Sequence, residues 1–263
     1  MESKPKYGVL GAGPVRASLI GRLPSRARDI GPVCSTSFRV ASRIANSIGA
    51  GYAVRNAEEL EAVPALLVNF QPDNPESVMA RLQDAGINWK GRVLVFCDCA
   101  ASPESLRGFG EKGASTAVAR EFGGRLIAES DDSAALRVVQ ELARDLGLKA
   151  VQISKGAGSV FGAAVLLGTA AITPLIDRAA ELLREAGIRD AEAARMAASL
   201  FEQTARDYAH SGRQSWAWYM RGPDAGQLET QAARELVLRD LVLYGLERFG
   251  KHEELRRKLS AEQ

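Results

Sequence analysis

Near its start the chain runs from an apolar segment into two glycines one residue apart, Tyr7-Gly8-Val9-Leu10-Gly11-Ala12-Gly13. Apolar residues then recur at helical spacing, as Val15, Leu19, Ile20 and Leu23. Few folds accept a buried strand that turns this sharply into a helix. Gly11 permits the tight turn. Gly13 omits the Cβ that would block an approaching pyrophosphate, and a helix starting near Pro14 offers that anion free N–H groups and a partial positive charge. The residues expected to hold a dinucleotide here are Gly11, Ala12, Gly13, Pro14 and Val15. A third glycine of a full G-x-G-x-x-G would fall on position 16, which is Arg16. That long side chain must turn outward or reach a phosphate.

The following segments alternate between strand and helix patterns. Strands are expected at 6–10, 30–34, 65–70, 92–97, 115–119, 125–128 and 150–153. Helices are expected at 15–23, 38–48, 75–85 and 133–146. This order predicts an α/β fold with a Rossmann-type parallel sheet and right-handed crossovers over residues 1–153. From there to residue 263 no strand pattern remains. Three helical stretches, 158–186, 190–210 and 225–249, predict an all-α C-terminal domain over 154–263, with a charged tail at 251–263 as a frayed surface helix.

A net charge of +2, from 34 basic and 32 acidic residues, lacks the electrostatic footprint of a nucleic-acid binder. The longest apolar run, residues 163–172, is shorter than a membrane span. The charged residues at the start lead into the glycine turn rather than into a signal-peptide core. Cys34, Cys97 and Cys99 form no disulfide framework. A reduced cytoplasmic protein, with neither membrane nor nucleic acid as partner, is the expectation.

NAD sites usually place an acid at the end of the second strand, where it binds the ribose hydroxyls. Here that end reads Cys34-Ser35-Thr36-Ser37-Phe38-Arg39, and the nearest acid, Asp29, sits at the wrong end of the strand. Ser35, Thr36, Ser37 and Arg39, with Arg43 one turn on, suit a 2′-phosphate, which points to NADP rather than NAD. The alternative is a Ser/Thr helix cap beside solvated arginines.

Several of these motifs, in this order, resemble a known superfamily. They are the G-x-G turn, the Ser-rich second turn, Gln71-Pro72-Asp73 after the strand at 65–70, and then a helical domain. The superfamily is that of 6-phosphogluconate dehydrogenase, pyrroline-5-carboxylate reductase and the deazaflavin-dependent NADP reductases. The chain is most similar to Rossmann-like NAD(P)-binding proteins with a C-terminal helical domain of unknown function. The small polar strand end Phe96-Cys97-Asp98-Cys99-Ala100-Ala101-Ser102 and the segment Arg221-Gly222-Pro223-Asp224-Ala225-Gly226 extend the likeness. The resemblance implies Gln71 and Pro72 at the cofactor, a 6-phosphogluconate dehydrogenase C-terminal-like helical half, a homodimer formed through that half and a small-molecule substrate. The chain departs from the group at two places. Ala117-Val118-Ala119-Arg120-Glu121-Phe122 replaces the usual His-Pro. In Gly156-Ala157-Gly158-Ser159-Val160-Phe161-Gly162, the position of a His or catalytic Lys is Gly162.

Reduction of a carbonyl or imine needs a proton donor beside the cofactor. Lys155 is the candidate, at the expected junction of the domains. Ser154 and Ser159 are candidate substrate contacts, because their segment is similar to the S-G-S-G-P run of pyrroline-carboxylate reductases. The alternative for Lys155 is a solvated hinge residue. Asp98 lies at a central strand's C-terminal end, where open α/β sheets bind ligands. Its neighbours Cys97 and Cys99 lack the further Cys or His pair a metal site requires, so no metal is expected; the alternative is simply a small-residue strand end. His210 suits a helix C-terminus and His252 the surface. The aromatic run from Ser215 to Arg221 fits a lid, a dimer contact or core packing alike. Two functions remain open. One is an NADP-dependent oxidoreductase acting on a small carbonyl, imine or hydroxyacid. The other is a catalytically inactive dinucleotide-binding sensor or partner protein. A helical interaction module on a vestigial Rossmann domain is disfavoured by the retention of Gly11 and Gly13.

Overall fold

The computed structural model describes residues 5–12, 18–24, 26–70, 86–97, 103–215 and 240–244. Two compact units divide between Ala163 and Ala164. The first is built on one eight-stranded sheet. Its strands are β1 (Tyr7–Ala12), β2 (Ile30–Cys34), β3 (Tyr52–Ala53), β4 (Ala65–Phe70), β5 (Val93–Cys97), β6 (Ser115–Phe122), β7 (Arg125–Glu129) and β8 (Lys149–Ile153), in spatial order β3-β2-β1-β4-β5-β6-β7-β8. The order reverses between β1 and β4, which makes the switch point of a Rossmann-type sheet. Its helices are α1 (Leu19–Arg22), α2 (Arg26–Asp29), α3 (Phe38–Ile48), α4 (Pro103–Glu111), α5 (Ser133–Asp145) and α6 (Gly158–Gly168), which runs on past the boundary.

Apolar residues fill both faces of the central strands, as a sheet covered by helices on both sides requires. Val9, Leu67, Val95, Ala117 and Ala119 pack with residues of α1, α3 and α5. Leu10, Leu66, Val68, Leu94, Phe96 and Val118 pack on the other face with Trp89 and with Leu106 and Phe109 of α4. Trp89 meets Phe109 edge to face at 5.0 Å.

The sheet is parallel from β3 to β6, but β7 runs antiparallel to β6, a correction to the all-parallel expectation. The cause is local. Gly123 and Gly124 both hold positive φ, 56° and 71°, between the paired residues Phe122 and Arg125. Two residues suffice for a hairpin of this kind, whereas a parallel crossover needs a dozen or more. β8 then pairs parallel to β7, so its carboxyl end lies on the edge opposite to that of β1, β4, β5 and β6. One row of paired residues, Leu10, Val68, Phe96, Val118, Glu129 and Ile153, crosses the sheet and fixes levels along it.

The short β3 and the helices α2 and α4 were not expected from the sequence, and the helix expected over 15–23 is described only as α1, Leu19–Arg22, whose N-cap is the extended Ser18 with its hydroxyl accepting from the Ile20 N–H. The stretch 158–186 is two helices, α6 and α7 (Ile172–Glu185), because α6 ends at Gly168. In the second unit α7 packs against α8 (Asp190–Ser211), with Ala180, Ala193 and Ala197 buried between them. Gly187, at φ 92°, turns the chain from one helix to the next. Residues 240–244 are helical, while the rest of the expected helix at 225–249, the helix at 75–85 and the tail lie outside the described residues.

Candidate functional site

At the switch point, the carboxyl ends of β1 and β2 are tied together by one side chain. The Ser35 hydroxyl donates to the Gly11 carbonyl oxygen at 2.5 Å. Next to it, Ser37 caps α3, its Oγ accepting from the Val40 N–H at 3.3 Å. So one hydroxyl of this turn staples the strand ends and another caps a helix, while Thr36 is exposed. Arg39 and Arg43 are exposed too, and among the described residues no carboxylate pairs with either. Arg55, just past β3, lays its guanidinium over the Phe38 ring at 4.6 Å. The sequence reading missed Arg55, whose place at this edge depends on β3 pairing with β2. Asp29 is buried at the opposite end of β2 and pairs with Lys6 at 3.5 Å and Arg28 at 3.2 Å. The end of β1 at Gly11 and Ala12 therefore lies beside the Ser35 hydroxyl at the end of β2, and beyond β3 the Glu59 carboxylate accepts from the Arg55 and Asn56 N–H groups. Of the expected cofactor residues, Ser35 meets Gly11 at the end of β1, where Ala12 follows, and Thr36, Ser37 and Arg39 follow Ser35 into the start of α3. Gly13, Pro14, Val15, Gln71 and Pro72 lie outside the described residues.

Further along the same edge, the Asn69 amide donates to the Cys97 carbonyl oxygen at 3.3 Å and ties β4 to β5. Cys97 is itself fully buried in the sheet core, and Asp98 and Cys99 lie outside the described residues. At the end of β6 the side chains alternate between faces. Glu121 pairs with Arg22 of α1. On the other face, Arg120 Nη1 lies 3.4 Å from Glu129 Oε2, while Glu129 Oε1 accepts from the Gly156 N–H at 2.9 Å. A Cβ on Gly158 would overlap that carboxylate, which gives the first part of the G-x-G-x-x-x pattern a structural cause. Phe122 meets Phe161 edge to face at 5.9 Å. Gly162 sits one turn beyond Gly158, and no described atom lies within 4 Å of where its Cβ would be.

Lys155 is elsewhere. It follows β8 and lines a cavity of about 540 Å³ at the amino edge of the parallel strands, with Glu111, Thr116, Glu129, Asp131 and Asp132. Its own N–H donates to Asp131 at 3.4 Å. Ser154 and Ser159 are exposed on either side of the Gly156-Ala157-Gly158 turn. Lys155 and the Gly11–Ser35 turn thus occupy opposite edges of one sheet. In the same cavity Asp132 caps α5. Although burial pushes its carboxyl up, hydrogen bonds from the Ala135 N–H, the Ser115 hydroxyl and the Ala134 N–H outweigh that and hold it below the ordinary carboxylate value. Tyr7, in the core, is pushed well up by burial and by the Asp145 carboxylate. His210 stands in the last turn of α8. Trp216 to Arg221 and His252 lie outside the described residues. Among the described residues no group of His, Cys, Asp and Glu could hold a metal ion.

Residues 125–217 match the family described as a domain of unknown function, DUF2520. No curated protein sequence matches the chain. Among solved structures, a Bacteroides fragilis protein proposed as an NADP oxidoreductase is similar over 100% of this chain and 99% of its own, at 14% identity and a TM-score of 0.70. An imine reductase variant from Myxococcus stipitatus, in complex with NAD+, is similar over 98% of this chain and 92% of its own, at 17% identity and a TM-score of 0.63. A reductive aminase from Aspergillus terreus, in complex with NADPH and ethyl levulinate, is similar over 94% and 88%, at 15% identity and a TM-score of 0.57. The chain has the fold of these proteins, a Rossmann-type sheet followed by helices.

Proposed function

We propose that this chain is an NADP-dependent oxidoreductase, transferring hydride to or from a small carbonyl, imine or hydroxyacid. One observation carries the reading: Gly11, at the end of β1, is tied through Ser35 to the end of β2, where Thr36, Ser37 and Arg39 follow and no carboxylate stands between residues 30 and 39. Ser35, Thr36 and Arg39 would bind the 2′-phosphate, and the segment Gly11 to Val15 the pyrophosphate, with Gln71 and Pro72 beside it. Bound along this edge, the cofactor supplies the hydride. The solved structures of similar fold support the reading, since they include an NADP oxidoreductase proposal, an imine reductase and a reductive aminase.

What the chain's own residues do follows from the sheet. Hydride transfer gains from fixed geometry and from a positioned proton source. Arg120 and Glu121 belong to the end of β6 on the cofactor's edge, and Asp98, which follows β5 in sequence, lies outside the described residues. Lys155, with Ser154 beside it, follows a strand that ends on the other edge, which favours the β6 end over Lys155 for contact with substrate.

The division into a cofactor domain over 1–153 and a helical domain over 154–263 belongs to the same proposal. So does a cytoplasmic homodimer formed through the helical half. Leu166, Leu167, Leu200 and Tyr208 are exposed in the single chain, and a second copy would cover them. The segment Gly158–Glu185 is also long and apolar enough to cross a membrane by length and composition, and its most apolar 18-residue stretch is unburied. Light scattering distinguishes these: a dimer in detergent-free buffer supports the proposal, and a monomer that floats with phosphatidylcholine vesicles refutes it.

Calorimetric titration tests the cofactor. NADPH should bind at least about tenfold more tightly than NADH, because a charged hydrogen bond to phosphate contributes about 1.5–3 kcal/mol. Gly13→Val should abolish binding of both. Equal affinities, or full binding by Gly13→Val, would sink the assignment.

A further inference from the structure

We propose that Arg120 is the anion-binding residue of the substrate site, and that the substrate is a small 2-oxo or 2-imino acid recognised through its carboxylate. This rests on the reading of the strands' carboxyl edge as the site of hydride transfer. The paired rows place the Arg120 backbone one level above Ala119, which is level with Gly11, on the ligand-binding side of the sheet, and its guanidinium reaches back over the sheet face to Glu129, which is level with Val118. The adenosine phosphate end is assigned to the β2 and β3 side of the Gly11 turn. The reactive end of an extended dinucleotide then points the other way, towards β5 and β6. Three strand spacings separate β1 from β6, about 14 Å, which is within the reach of such a molecule.

Arg120 is also held ready. Glu129 is pinned by the Gly156 N–H and takes one of the guanidinium's five donors through Nη1. The Arg120 side chain keeps 31% exposure, against 12% for Glu129. The partner that fixes the arginine is therefore nearly buried, while the arginine retains donors facing outward. A planar fork of donors is suited to a carboxylate, which it can bind through two parallel hydrogen bonds. Around it the chain supplies an apolar wall, Phe122 against Phe161, and leaves room. Gly158 has no Cβ to crowd the guanidinium, and one turn on, on the same helix face, Gly162 leaves further space. Arg22, the other arginine paired at the end of β6, is committed to Glu121 on the opposite face. Lys155 and Arg107 line a cavity that Glu129 also lines, with Glu111, Asp131 and Asp132 as further carboxylates there.

The test uses the full-length protein saturated with NADP+ and titrated with 2-oxopentanoate and, separately, with 2-pentanone, which lacks the carboxylate. Wild type should bind the oxo acid at least about tenfold more tightly than the ketone. In Arg120→Met the two affinities should converge while NADP+ affinity stays close to wild type, and the stability lost with the Glu129 pairing should be no larger than in Gly158→Ala. Arg120→Lys should restore part of the preference, a readout that a merely structural arginine would not give. The inference is overturned if wild type does not prefer the oxo acid, if neither ligand binds, or if Arg120→Met keeps the preference. NADP+ binding, measured first, separates the two claims. If wild type takes no NADP+, the cofactor reading fails and this inference fails with it. If NADP+ binds and the oxo acid is not preferred, only the inference fails.

Discussion

Two glycines on one face of α6 should respond to alanine with opposite signs. A Cβ on Gly158 would meet the Glu129 carboxylate, with Glu129 Cδ at 3.2 Å and Arg120 Nη1 at 3.3 Å behind it. Glu129 must then swing away and give up its bond from the Gly156 N–H and its pairing with Arg120. Hydrogen bonds to a charged group are worth about 1.5–3 kcal/mol, and solvent reached by the displaced carboxylate returns part of that. Replacing glycine in a helix gains at most about 1 kcal/mol, and less at a first helical residue such as this one. Gly158→Ala should therefore destabilise the sheet unit by about 1–2 kcal/mol. Gly162 lies in the helix interior with no described atom near its would-be Cβ, so Gly162→Ala should stabilise by about 0.5–1 kcal/mol. Urea denaturation followed by tryptophan fluorescence reads both, since Trp89 is buried in the same unit. Equal effects of the two substitutions, or a Gly158→Ala protein as stable as wild type, would refute the role given to Glu129.

Asp132→Ala should cost about 1 kcal/mol at neutral pH through loss of the α5 cap. Because the folded carboxyl is held below its ordinary value of 3.8, its contribution is present above that pH and is lost as pH falls through the folded value. The gap between wild type and variant in denaturation should accordingly narrow in acid and not in base. Arg39→Ala should weaken NADPH by about tenfold and leave NADH nearly unchanged in titration; an equal loss for both cofactors would move the 2′-phosphate elsewhere.

Local pattern carried most of the sheet. The runs at 65–69 and 93–97 are buried on both faces, so each reads as a strand without knowledge of its neighbours. The helix at 38–48 was legible from its Ser37 cap and from Gly49 at its end, where φ is 65°. What escaped was set by long-range pairing or by weak local signal. β3 is two residues long and exists because Val33 pairs with Ala53. α4 has Leu106 and Phe109 as its buried anchors, too few to stand out in a stretch of mixed composition. The Gly123-Gly124 turn was visible in the sequence, but an alternating α/β pattern drew the reading towards a parallel sheet. The reversal it causes sends Lys155 to the edge away from the glycine turn. Arg55 and Glu129 act on residues 17 or more positions away, at Phe38 and at Gly156, and no spacing rule reaches that far.

The central claim is hydride transfer from NADPH, and deuterium labelling tests it most directly. Protein incubated with NADPH deuterated at C4 of the nicotinamide, and with a panel of imines, oxo acids and aldehydes, would be followed by mass spectrometry of the products. The account predicts one deuteron in a reduced product for each NADPH oxidised, with none transferred by Gly13→Val. NADPH that binds tightly but transfers no deuteron to any member of the panel would contradict the account and mark the chain as a dinucleotide-binding sensor.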